Sequence, residues 1–118
     1  MVASARQGSA SRLAHALYMR SVAETSVGRT VPGAILAGEA SAVARVCGSP
    51  TARAQAAYAL GLALEGSDPA ESLRLLREAA HIAGAAGNRW IEAFADTEVW
   101  WLEARNGDVR TALMSGAR

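Results

Sequence analysis

The chain has 118 residues, enough for one domain with a modest core. Hydrophobic residues make up 51 %, aromatic residues 5 % and charged residues 19 %; much of the apolar share is alanine and β-branched residues form no run, which favours closely packed helices over sheet. A net charge of +1 without a block of Lys or Arg argues against nucleic-acid binding, and no stretch reaches the ~18 uninterrupted apolar residues of a membrane span, since the nearest, 31–46, contains Glu39 and Arg45.

Residues 1–11 are small and polar, lack the apolar centre of a signal peptide, and are expected to be disordered. Breakers then leave six predicted helices, over 11–25, 31–47, 50–65, 69–86, 89–105 and 109–115. Gly28, Pro32 and Gly33 separate the first from the second, and Gly48 suits the left-handed turn that ends the second. Ser49 followed by Pro50 opens the third. Around Tyr58, Leu60, Gly61, Leu62 and Leu64 this helix is apolar almost all round, as a helix sandwiched between neighbours is.

Asp68, Pro69 and Glu71 give the fourth helix an acidic capping box. Leu73, Leu76, Ala80 and Ala83 share one side of it, with Leu75, Ala79, Ile82 and Ala86 beside them. Glu71, Arg74, Arg77, Glu78 and His81 form the polar stripe. Gly87 ends the helix and Asn88 caps the fifth. There Trp90, Phe94 and Trp101 make one large apolar face, flanked by Trp100, and Ile91, Ala95, Val99 and Leu102 make a second. Two apolar faces predict two packing partners, and Trp90 and Trp101 are assigned to the core. Glu92, Asp96 and Glu103 form an acidic ridge. Asp108 caps a short sixth helix that has only Ala112, Leu113 and Met114 to bury.

A period of forty residues runs through these elements. Tyr18 maps to Tyr58, Leu36 to Leu76, Ala40 to Ala80, and the loop residue Ser26 to Gly66 and then to Asn106. A helix-pair unit of this length belongs to the solenoid class. Leu60-Gly61 and Leu64, followed by Ser72, Leu76 and Ala79, resemble a tetratricopeptide repeat, in which small residues let two helices cross closely and a large one fills the gap. The expected fold is all-α: antiparallel helical hairpins stacked as a short tetratricopeptide-like right-handed array of about six helices, over residues 12–115.

A more specific resemblance lies in the run Ala56-Ala57-Tyr58-Ala59-Leu60-Gly61, Asp68-Pro69, Ala79-Ala80, Gly87-Asn88-Arg89-Trp90 and Ala104-Arg105-Asn106-Gly107-Asp108. It resembles the helical-repeat region of large actinobacterial signalling ATPases, the LuxR-type or MalT-like regulators and their cyclase-linked relatives. In that family the repeats follow a nucleotide-binding module, and the regulators end in a helix-turn-helix domain. The chain carries no Gly-x-x-x-x-Gly-Lys-Ser/Thr loop, and the ten residues after Asp108 are too few for a DNA-binding domain. The resemblance therefore implies the scaffold, not ATP hydrolysis or promoter binding.

The residue types for chemistry are sparse. His15, His81 and Cys47 are the only imidazole and thiol groups, and no His-x-x-x-His or Cys-x-x-Cys spacing occurs, so no metal site or cofactor is expected. His81 reads as a surface histidine and Cys47 as a small packing residue. A lone cysteine also fits a reducing cytoplasm. No nucleophile elbow is present and no catalytic residue is assigned. The candidate interaction surface is Trp100 with Glu92, Asp96 and Glu103: an exposed tryptophan can anchor a partner, and the ridge can face a basic peptide. The expected function is a non-enzymatic scaffold for a protein or peptide. A small homo-oligomeric bundle with a structural or ligand-sensing role, a homodimer for example, is the alternative, and a gene remnant without present function is a third.

Overall fold

A computed structural model describes residues 2–105. Within them lie five helices, α1 (Val2–Ser26), α2 (Thr30–Cys47), α3 (Pro50–Leu64), α4 (Pro69–Ala86) and α5 (Arg89–Arg105), and no strand. The boundary chemistry sets their ends. The Ala52 N–H donates to Ser49 Oγ, the Glu71 N–H to Asp68 Oδ1 and the Ile91 N–H to Asn88 Oδ1, each at 3.2 Å, so α3, α4 and α5 start under side-chain caps. Gly87 has φ 78°, a left-handed conformation that only glycine adopts cheaply, and the next N–H, of Asn88, closes back on the Ala83 carbonyl at 2.8 Å.

Two expectations change. The segment 1–11, expected to be disordered, is helical from Val2 onward, so α1 starts nine residues early; its three alanines, Arg6 and Gln7 are good helix formers. The capping box forms only by half, because the Glu71 carboxylate engages Arg74 while the Asp68 N–H donates to the Leu64 carbonyl at 2.8 Å. The predicted sixth helix at 109–115, with its Asp108 cap and the Asn106 repeat match, lies outside the described residues.

Short connections pair consecutive helices antiparallel. Helices α1, α3 and α5 form an inner layer, in which α3 touches both others; α2 rests on α1 and α3, α4 on α3 and α5, and α2 and α4 lie apart. Helix α3 thus touches all four other helices, which is why its sequence is apolar almost all round. Alanines dominate the interior, and Leu76 and Leu102 are its largest wholly enclosed side chains. Enclosing each contributes about 1.5–3 kcal/mol.

Each hairpin crosses at a serine–glycine contact. Ser21 Oγ on α1 donates to the Gly33 carbonyl on α2 at 2.7 Å, and Ser72 Oγ on α4 donates to the Gly61 carbonyl on α3 at 2.6 Å. Ser21 and Gly61 are forty residues apart and Gly33 and Ser72 thirty-nine, so the two hairpins cross at equivalent places, one residue out of register on the second helix, with serine and glycine exchanged. Both serines are fully buried, and the bond satisfies a hydroxyl that would otherwise be costly there.

Candidate functional site

Helix α5 carries the exposed aromatic surface. Its buried arc is Ile91, Ala95 and Leu102. Trp90, Phe94 and Trp101 fall to one side of that arc and remain 76 %, 47 % and 53 % exposed. The assignment of Trp90 and Trp101 to the core is therefore corrected: α5 touches only α3 and α4 among the described helices, and their packing leaves both tryptophans more than half exposed. The rings continue across the inner layer. Trp90 and Phe94 lie 6.2 Å apart between centroids, Phe94 and Tyr58 of α3 6.3 Å, and on α1 His15 and Tyr18 6.0 Å. Tyr18 and Tyr58 are half-buried against one cluster formed by Ala54, Ala83 and Ile91. Burial, then the charges of Glu98, Tyr18 and Glu65, pushes the Tyr58 hydroxyl up to about 12. Burial also raises Tyr18.

A carboxyl pair closes one end of this band. Glu65 directly follows α3, and Glu98 of α5 lies beside it. Burial first, then a hydrogen bond with Glu98 and its charge, pushes Glu65 up to about 8, while Arg105 pulls the other way. Arg105 Nη1 stands 3.8 Å from Glu65 Oε2, a long contact, and Glu65 Oε1 is buried with no donor facing it among the described residues. The hydrogen bond to Glu98 exists only when one carboxyl of the pair holds a proton.

The residues singled out in the sequence divide differently. Glu103 is not solvated: its side chain is 14 % exposed and accepts from Arg77 of α4 at 3.0 Å. Glu92 is half-buried, its carboxylate lying over Gly84 of α4. Asp96 is exposed. The acidic ridge is thus drawn towards α4 at both ends, because the small residue Gly84 and the cation Arg77 stand opposite it. Trp100 is half-buried, with its ring edge-on to Trp101 at 5.3 Å. His81 is exposed, and Cys47 is half-buried beside Ala14, Ala44 and Ala52, in keeping with a packing role.

Tyr18, Tyr58, Glu65 and Glu98 were not singled out as site residues. The Tyr pair was visible in the forty-residue period. Glu98 also carried a signal, since it sits three residues after Ala95 and four before Leu102, a carboxyl on the apolar arc.

Two clefts open on the other side of α3. One of about 420 Å³ separates α2 from α4 and is lined by Arg45, Arg53, Leu60, Glu71, Arg74 and Glu78. Its α4 wall pairs internally, Arg74 with Glu71 and Glu78. The other, of about 350 Å³, shares Arg53 and adds His81 and Ile82. Among the described residues no group of three or more His, Cys, Asp or Glu could hold a metal ion, and no helix is long and apolar enough to cross a membrane. Comparison with known families, with curated proteins and with solved structures gives no match.

Proposed function

We propose that this chain is a non-catalytic interaction scaffold, a tetratricopeptide-like repeat module akin to the repeat part of LuxR-type regulators, whose inner face takes a protein or peptide segment. The observation that carries the reading is the aromatic row: Trp90, Phe94 and Trp101 hold large rings open to solvent on a layer whose other rings, Tyr58 and Tyr18, already rest on the core. Rigid aromatic side chains on a helical layer supply contact area at little cost in conformational entropy, and such residues dominate binding energies. Asp96 lies outside the row and serves as a rim charge. Trp100 supports Trp101 through the edge-on ring contact.

The test is a peptide-display selection against the whole chain, repeated with Trp90→Ala and Phe94→Ala. Selected binders are expected to weaken at least about tenfold, a loss of ~1.4 kcal/mol or more. Binders that hold both variants as tightly as the parent chain would sink the reading.

A second reading, a homo-oligomer, is favoured by α2. Val31, Ile35, Gly38, Ala42 and Val46 form one row, and all five are exposed. Small residues midway along an apolar row let two helices approach closely. Light scattering distinguishes the readings: a dimer reduced to monomer by Ile35→Glu supports self-association through α2, and a parent chain that is monomeric removes it.

A further inference from the structure

Helix α5 leans mainly on α4 and meets α3 along a narrow seam. Besides the core cluster of Ala54 and Ile91, that seam includes the Tyr58–Phe94 ring contact at one level and Glu65, Glu98 and Arg105 at another. Glu65 Oε1 is buried there and faces no donor among the described residues. Arg105 stands 3.8 Å from the other oxygen and keeps its side chain 59 % exposed. Two ionised carboxylates offer only acceptors, so the buried oxygen is satisfied only when one carboxyl keeps its proton and donates to the other.

We propose that Glu65 and Glu98 share a single proton that clasps α5 to α3, making the aromatic inner face a pH-controlled surface. With the proton in place, Phe94 and Trp101 are held against the layer. When the proton leaves, two adjacent carboxylates repel across the seam and α5 loosens on that side. The consequence for binding rests on the docking role proposed for the inner face; the clasp itself does not.

The surroundings favour the shared proton. Glu65 is pushed up to about 8, chiefly by burial, so the clasp releases at mildly alkaline pH. Tyr58, next to it on α3, stays neutral throughout this range, as does Tyr18 on α1. On α1, Glu24 pairs with Arg29 at 2.8 Å, and His15 lies against Tyr18. On α4, Arg77 is taken by Glu103 and Arg74 by Glu71 and Glu78. On α2, Glu39 is exposed and Arg45 lines the outer cleft. Apart from Arg105, then, no ion pair among the described residues places a cation on the carboxyl pair.

All three tryptophans, Trp90, Trp100 and Trp101, lie on α5, so tryptophan emission, excited at wavelengths where tyrosine does not absorb, reports on this helix. The experiment titrates the whole chain from acid to alkaline pH, following emission and far-ultraviolet circular dichroism together. The expected result is a one-proton red shift with its midpoint at about 8 and an unchanged helical signal. Glu65→Gln supplies an amide donor to Glu98 that does not titrate, so the shift disappears and emission stays at its low-pH value. A flat titration of the parent chain, a shift that survives in Glu65→Gln, or one abolished by His15→Gln would overturn the clasp. If Glu65→Gln does not fold, carboxyl-carbon NMR of Glu65 in the parent chain decides: a midpoint in the ordinary glutamate range overturns it. None of these measurements needs a binding partner, so their failure leaves the docking reading standing, and failure of the display experiment leaves the clasp standing.

Discussion

A Cβ on Gly61 would stand 2.7 Å from Leu76 Cγ and 2.9 Å from Cδ2, and Leu76 is fully enclosed with no room to retreat. Gly61→Ala is therefore expected to destabilise the fold by about 1–3 kcal/mol through overpacking. Ser72→Ala, which removes only the donor to the Gly61 carbonyl, should cost less, about 0.5–1.5 kcal/mol. Urea unfolding of the two variants checks the order; an equal or reversed ranking would mean that the hydrogen bond rather than the close approach fixes the crossing. The residue pattern Gly61, Ser72, Leu76, Ala79 already announced a tight crossing, because the spacing of small and large side chains is a property of the sequence. It did not announce that Ser21 and Gly33 repeat the contact with roles exchanged. A match of forty residues between serine and glycine has no side-chain similarity to detect.

Helix ends were the most legible elements. Caps act within three or four residues, so Ser49, Asp68, Asn88, Gly48 and Gly87 could be assigned from neighbours alone, and each takes the expected conformation or hydrogen bond. Asn88 matters most for the proposed function, since it starts the helix that carries the aromatic row. Asn88→Ala should lower stability by about 1 kcal/mol, with hydrogen exchange accelerating in the first turn of α5 ahead of α3. Uniform acceleration in both helices would show that α5 does not open independently. The faces of α5 were less legible. Periodicity correctly separated the row of Trp90, Phe94 and Trp101 from that of Ile91, Ala95 and Leu102, but it cannot say which row meets a neighbour. Large size argued for burying the tryptophans; the smaller row is the one that fits the space beside α3 and α4.

For the molecule as a whole, the carboxyl pair predicts how stability depends on pH. Glu65 has a folded-state value of about 8 against 4.5 for the free group. A carboxyl raised on folding contributes its stabilisation fully below the unfolded value and loses it as pH rises through the folded one. The midpoint of thermal unfolding should thus decline between pH 4.5 and about 8, and Glu65→Gln should flatten that decline. A parent chain whose unfolding midpoint is level or rises over this window would show that Glu65 is not the dominant titrating group. The same pair links stability to the inner face, because the group that destabilises the fold on ionisation sits where α5 meets the layer.

The sequence by itself determined the all-helical class, the four turns between the five described helices, the caps at the last three of those turns and the central position of α3, all of which follow from local propensity and from the apolar period of each helix. Tertiary structure decided what local patterns leave degenerate. It turned Glu92 and Glu103 towards α4, left Trp90 and Trp101 in solvent, and brought Glu65 beside Glu98, thirty-three positions further along the chain. The physical reason is that a helix repeats its faces without naming their neighbours. Burial, charge pairing and proton sharing are properties of two elements in contact, and they are fixed only when α3, α4 and α5 pack together.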